Sequence, residues 1–298
     1  MIARLIRKWN HRRNFERSVW QRLGQRYATV RVNGHWMTFD LQDTTISEWL
    51  FMRRTWEPYE SDLMTRVLRR GATVIDIGAH IGYYSLLAAR RIGRQGHVLA
   101  FEPAPDNFAL LARNIRQNRL GQIVHAENCA VSDQPGEVTL YLSVVNNGDH
   151  RVHPATPEDD VLNNWGRPRE RLPVTAVSLD GYLQQYPLGP IDVIKMDVQG
   201  AELKVLQGMP VTLRQNPNVV LFVEYWPHGL KQAGSNPLDL LRFLTQQAGM
   251  SLIYIVPEER RLQPIAADEL AAREFDPTVQ VDLVCSRNPA QLLATLSA

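Results

Sequence analysis

Four acidic residues recur in one setting: each follows or closes a short apolar run. They are Asp76 after Thr73–Ile75, Glu102 after His97–Phe101, Asp197 after Ile191–Met196, and Glu224 within Val219–Tyr225. A carboxylate delivered by a buried strand must be solvated, paired or used, so this recurrence marks candidate chemistry. Around the first, Asp76 leads through Ile77 into Gly78, Ala79, His80, Ile81 and Gly82 before a helical stretch. Glycine lets backbone approach a ligand closely, and the amino end of the following helix favours an anionic group such as a carboxylate. A dinucleotide fingerprint would carry three glycines in G-x-G-x-x-G spacing beside a pyrophosphate. Here the middle glycine is missing, and Asp76 would repel a pyrophosphate. A ligand with a cationic centre, a carboxylate and no phosphate suits this turn better, and S-adenosylmethionine has those features.

Glu102 stands twenty residues after Gly82. An acid at the end of the second strand accepts hydrogen bonds from two ribose hydroxyls. This supports a nucleoside ligand without choosing between a methyl donor and a dinucleotide, so a nicotinamide-dependent oxidoreductase remains the alternative. The run from Ala126 to Asp133 places Asn128, Ser132 and Asp133 against an adenine edge, with the small Ala130 under the ring.

The elements that must position these residues alternate. The periodicity predicts strands over 73–77, 97–101, 123–131, 137–143, 174–177, 191–196, 219–225, 251–256 and 279–285. It predicts helices over 82–91, 106–118, 179–185, 200–206 and 237–247. Such alternation builds an α/β fold with a mainly parallel sheet covered on both faces, the ligand lying at the carboxyl ends of the strands. Upstream, Asn33-Gly34 between two alternating runs predicts a tight hairpin, and residues 43–70 look helical up to Gly71. Residues 1–70 thus form a helical and hairpin extension to a ligand-binding domain over 71–298. Residues 144–172, with Asn146-Asn147-Gly148, Pro154, Pro157 and Gly166-Arg167-Pro168, form a long insertion, and long ordered loops in such folds tend to carry function.

Composition narrows the class. The chain has 298 residues, 44% hydrophobic and 21% charged, and a net charge of +2. That balance argues against a nucleic-acid partner. The basic residues nonetheless crowd the start: Arg4, Arg7, Lys8, Arg12, Arg13, Arg17, Arg22, Arg26 and Arg31 face a single acid, Glu16. Residues 2–26 read as a helix with these charges between apolar points. It either packs on the main domain with a solvated face or makes a weak contact with an anionic membrane surface. No apolar run is long enough to cross a bilayer, the basic start lacks the apolar stretch of a secretory signal, and Cys129 and Cys285 form no metal-ligand spacing. A cytoplasmic location is the expectation.

Taken together, VIDIGAHIGYYS, FEPAPDNF, NCAVSD, IKMDVQGAE and VLFVEYWP resemble the FkbM family of methyltransferases in order and spacing, over roughly residues 45–260. Trp56-Glu57-Pro58 is similar to that family's lead-in segment. The resemblance implies a Rossmann-like class I methyltransferase with a seven-stranded sheet and S-adenosyl-L-methionine as donor. It implies O-methylation of a hydroxyl on a sugar, glycan or secondary metabolite. Carried over, Asp76, Gly78, His80 and Gly82 would hold the methionine end, Glu102 the ribose, and Asn128, Ala130, Ser132 and Asp133 the adenine. Two positions depart from the pattern: His80 stands where the family usually has Asn, and Gln199 where it usually has Glu. These departures keep a non-catalytic, cofactor-binding role in view.

Methyl transfer from a sulfonium is an in-line displacement, and a neutral hydroxyl must lose its proton. The candidate groups are Asp197, Glu202 and the Asp149-His150 pair, with His153 a further option, since histidine titrates near neutrality. No resident metal is expected; the alternative is a divalent cation held by Asp197, Glu202 and Glu224. Trp165, Tyr225 and Trp226 are candidates to stack on a sugar ring.

Overall fold

The computed structural model describes residues 24–157, 160 and 164–297. The helix expected over 2–26, and with it most of the basic surface, lies outside these residues apart from its last three. Strands β1 (Tyr27–Val32) and β2 (His35–Asp40) pair antiparallel. The turn between them has φ of 47° at Asn33 and 84° at Gly34, the two positive angles that Asn-Gly adopts readily.

The helix expected over 43–70 is instead two, α1 (Ile46–Arg53) and α2 (Pro58–Val67). Pro58 is the cause, because proline disfavours helical backbone in the residue before it and supplies no N–H. Glu57, outside the right-handed helical region, sits at φ 39°. Then come β3 (Thr73–Ile77), α3 (Tyr83–Ile92), β4 (His97–Phe101), α4 (Pro105–Gln117) and β5 (Val124–Glu127). The expected strand 123–131 breaks at Asn128-Cys129: β6 (Ala130–Val131) leaves the main sheet. It joins β7 (Gly136–Leu142) and β8 (Glu170–Val177) in a separate sheet ordered β6-β8-β7. The chain continues through α5 (Leu179–Gln185), β9 (Val193–Met196), α6 (Glu202–Gln207), α7 (Pro210–Gln215), β10 (Val220–Tyr225), α8 (Pro227–Gln232) and α9 (Pro237–Arg242). It closes with β11 (Ser251–Val256), β12 (Arg261–Ile265), α10 (Ala267–Ala271), β13 (Val281–Ser286) and α11 (Pro289–Ser297).

The main sheet has eight strands in the order β12-β11-β13-β10-β9-β3-β4-β5, one more than the seven expected. The extra strand, β12, is an antiparallel edge strand containing Pro264 and mostly open on its faces, so it lacks the apolar alternation of a half-buried strand. From β5 to β10 all neighbours are parallel; β13, β11 and β12 are antiparallel. Strand order reverses at β3. Successive connections leave it toward β4 and β5 on one side, and the chain later returns to β9 and β10 on the other. A crevice therefore opens at the carboxyl ends of β3 and β9, as expected for such sheets.

Both faces of the sheet are covered. Ile75, Leu99, Ile194, Leu221 and Leu283 enter one apolar cluster, with residues of α6, α7 and α9. Their neighbours Val74, Val98, Val193, Phe222 and Val284 enter the other, with residues of α2, α3 and α4. Met37 and Phe39 of the hairpin share that second cluster. Among the described residues no helix is long and apolar enough to cross a membrane.

Candidate active site

Alternation along the strands puts particular polar side chains on the face covered by α2 and α3. Asp76 is paired in register with Lys195 of β9, Lys195 with Phe222 of β10, and Glu224 with Asp282 of β13. All follow the period of their apolar neighbours on that face, so the carboxyl edge of the sheet carries a row of ionisable groups against α2. Lys195, 2% exposed, lies 3.4 Å from Glu60 Oε1 and 3.9 Å from Asp197 Oδ2, over the ring of Tyr84. The Tyr84 hydroxyl lies within hydrogen-bond range of both Glu57 Oε2, at 2.7 Å, and Glu60 Oε2, at 2.9 Å. Burial drives the Glu57 carboxyl well above the usual carboxylate range, and beside it Glu60 pushes the same way. Burial, then the neighbouring Glu60, raises Asp282 to about 8.

Glu57, Glu60 and Asp282 are the acids whose oxygens approach within 4.8 Å of one another. They are not the trio named from the sequence, Asp197, Glu202 and Glu224. Lys195 already supplies positive charge to this group. Sequence reasoning passed over Lys195, Glu60 and Asp282. The signal available was a lysine inside an otherwise apolar strand, which a core tolerates only when the charge is paired.

A cleft of about 580 Å³, counting its open mouth, lies beside this row. Its walls include Gly78, His80, Glu102, Ala130, His150, Asp197 and Gln199. Cys129, Val131, Leu140 and Val152 give it an apolar side. Gly78 has φ 82°, and a side chain there would stand 1.9 Å from the backbone oxygen of Asp197. Glycine is required because the loops after β3 and β9 touch.

Glu102 is held firmly. Its Oε2 accepts the His80 backbone N–H at 2.8 Å and its Oε1 the Ala104 N–H at 2.9 Å. Burial outweighs these donors and raises its carboxyl to about 7. Asp76 lies beneath the turn, 2% exposed, and accepts from the Ser85 hydroxyl at 2.5 Å. Burial raises it to about 6. His80 adopts φ 51°, and its buried Nε2 has no hydrogen-bond partner. An apolar wall, carboxyls at the two strand ends and an unpartnered ring nitrogen fit a nucleoside with a cationic tail.

Other residues named from the sequence stand differently. Gly82 does not line the cleft: a side chain there would meet Leu111 Cδ1 at 2.6 Å, so its role is to let α3 pack against α4. Asn128 is exposed and ties the ends of two strands, donating to Glu102 O at 2.8 Å and Pro103 O at 3.1 Å. Ser132 donates to its exposed neighbour Asp133 at 2.9 Å, and neither lines the cleft. Glu202 is fully buried. One of its oxygens accepts the Val198 and Gly200 N–H groups, closing the turn before α6 and leaving no route to an acceptor. Asp197, with a third of its side chain open (32%), is the reachable acid at this edge.

The insertion is organised around Asp149. Its carboxylate bonds Arg151 Nε at 2.6 Å and Arg169 Nη2 at 2.6 Å, and Arg169 also bonds Asp160 at 2.8 Å. Arg151 stacks over Trp226, 4.4 Å from the ring centroid. Asp149 is thus an internal anchor, not a proton acceptor facing the cleft. His150 does face the cleft, but its Nδ1 accepts the Ser143 N–H at 3.0 Å and burial lowers it to about 3. With Nδ1 occupied, its proton sits on Nε2 and the ring presents a donor, the reverse of the expected base. His153 Nε2 is 2.9 Å from Gln199 O. Trp226 is buried and its Nε1 donates to Pro277 O, Tyr225 is buried too, and Trp165 is exposed outside the cleft.

Residues 76–252 match the model of the methyltransferase FkbM domain. The chain is 32% identical over 155 residues to methyltransferase sdnD of Sordaria araneosa, covering 46% of this chain and 60% of that protein. It is 31% identical over 162 residues to the 31-O-demethyl-FK506 methyltransferase FkbM of Streptomyces tacrolimicus, covering 48% and 61%. To the hexuronic acid methyltransferase AglP of Haloferax volcanii it is 25% identical over 172 residues, covering 57% and 60%. The chain thus spans about three fifths of the length of these relatives.

Proposed function

This chain belongs to the FkbM methyltransferase family, and we propose that it transfers a methyl group from S-adenosylmethionine to an oxygen of a sugar-type or other small-molecule acceptor. The observation that carries this reading is the cleft shared by Glu102 and Asp197, one at each flank of the β3 turn, with Asp76 beneath. Glu102 binds the ribose hydroxyls, and the Cys129–Val131 segment with Leu140 and Val152 covers the adenine. Asp76, raised only to about 6, gives the methionine end a negative neighbour at neutral pH. The bound nucleoside supplies an electrophilic methyl group. Asp197 orients the acceptor hydroxyl for in-line attack and takes its proton as the new C–O bond forms. Two relatives that match this chain are named for 31-O-demethyl-FK506 and hexuronic acid, which supports an oxygen acceptor.

Calorimetry with S-adenosylhomocysteine and with NAD tests the cofactor. Heat with the first and none with the second is expected; the reverse would replace the reading with a nicotinamide enzyme. Transfer of labelled methyl to a panel of sugars and hydroxylated metabolites tests the activity. Silence across the panel with intact nucleoside binding would leave a binding protein.

A further inference from the structure

Resting on that reading, we propose that Gln199 is a positioning residue of the reaction centre: its side-chain amide ties Asp197, which lines the cleft, to the buried Glu224 and keeps the Asp197 carboxylate turned toward the methyl end of the nucleoside. Gln199 Nε2 donates to Asp197 Oδ1 at 2.9 Å and lies 3.1 Å and 3.3 Å from the two oxygens of Glu224. A carboxylate accepts and does not donate, so the NH₂ group points at Asp197. The opposite end agrees: Gln199 Oε1 accepts from Gln280 Nε2 at 3.0 Å.

The backbone is arranged for this purpose as well. Gln199 stands at φ 53°, a region unfavourable to a residue with a side chain. His153 of the insertion holds its carbonyl at 2.9 Å, and Gly200 follows at φ 97°. A strained residue fixed from two sides and lining the cleft is more than packing material. Ionisable groups surround the pair: Lys195, Asp76, His80, Glu202 and Asp282. Burial lowers His80 and raises Asp76, Glu202, Glu224 and Asp282, so Lys195 is the main charge beside Asp197, and the Gln199 amide adds donors without adding charge.

Two variants and two ligands test this without knowing the acceptor. Sinefungin carries a protonated amine where the sulfonium would be; S-adenosylhomocysteine carries a neutral thioether. Gln199→Met keeps the side-chain length and removes the donors. Gln199→Gly also relieves the strained backbone, and retained S-adenosylhomocysteine binding with an unchanged melting temperature shows that it is folded. In both, at pH 7, sinefungin should lose about tenfold in affinity while S-adenosylhomocysteine stays within about twofold. Wild-type protein measured beside them should keep its preference for sinefungin. Equal losses for both ligands, or no loss for sinefungin, would overturn the proposal. If the wild type binds neither ligand, the cofactor reading falls first and this inference with it.

Discussion

Glu102 Oε2, at the end of β4, accepts the backbone N–H of His80 in the turn after β3, at 2.8 Å. One carboxyl thus closes the turn after β3 at the wall of the cleft. Its cost is burial, which lifts it to about 7.

That value has a pH consequence. Between the ordinary glutamate range and about 7, the folded protein holds a proton on Glu102 that the unfolded chain has lost, so stability falls as pH rises through this window. The full difference is about 3 kcal/mol. Glu102→Gln should reduce, beside the remaining contributions of Asp76 and Asp282, the dependence of Tm on pH between 5 and 8 and weaken S-adenosylhomocysteine by about tenfold. An unchanged pH dependence would exclude Glu102 as its source.

Gly78→Ala places a Cβ 1.9 Å from Asp197 O at φ 82°. Backbone meets backbone, so neither side yields cheaply. Thermal denaturation should show a large loss of stability, with nucleoside binding lost. Gly121→Ala, which has nothing within 4 Å, should behave as wild type and serves as the control.

Asp149→Ala leaves Arg151, 1% exposed, without a carboxylate and Arg169, 2% exposed, with Asp160 alone. Leaving a buried cation unpaired costs about 3–5 kcal/mol. The insertion should become sensitive to limited proteolysis and Tm should drop. Asp62→Ala breaks only half-exposed pairs with Arg66 and Arg260, and should change stability by less than about 1 kcal/mol.

Asp197→Ala should abolish methyl transfer while S-adenosylhomocysteine still binds, since the adenine and ribose contacts lie elsewhere in the cleft. Transfer at the wild-type rate would remove Asp197 from the mechanism. Radiolabel transfer to the best acceptor of the panel, compared with calorimetry, separates the two effects.

Local pattern was enough for part of this protein. Short apolar runs ending in Asp76, Glu102 and Asp197, Asn33-Gly34 between alternating segments, and the helix at Leu179–Gln185 are all nearest-neighbour properties of the chain, and they determined the α/β alternation and which end of the sheet would hold a ligand. Tertiary structure decided what each polar residue does, because that depends on partners distant in sequence. Asp149 looked free beside His150 until Arg169 folded back onto it. His150 looked like a base until the Ser143 N–H took its Nδ1. Gly82 looked like a ligand contact until Leu111 filled the space beside it. Lys195, Glu60, Glu224 and Asp282 become one charged row only when β9, α2, β10 and β13 meet. Burial and pairing are properties of the packed molecule, and no local spacing encodes them.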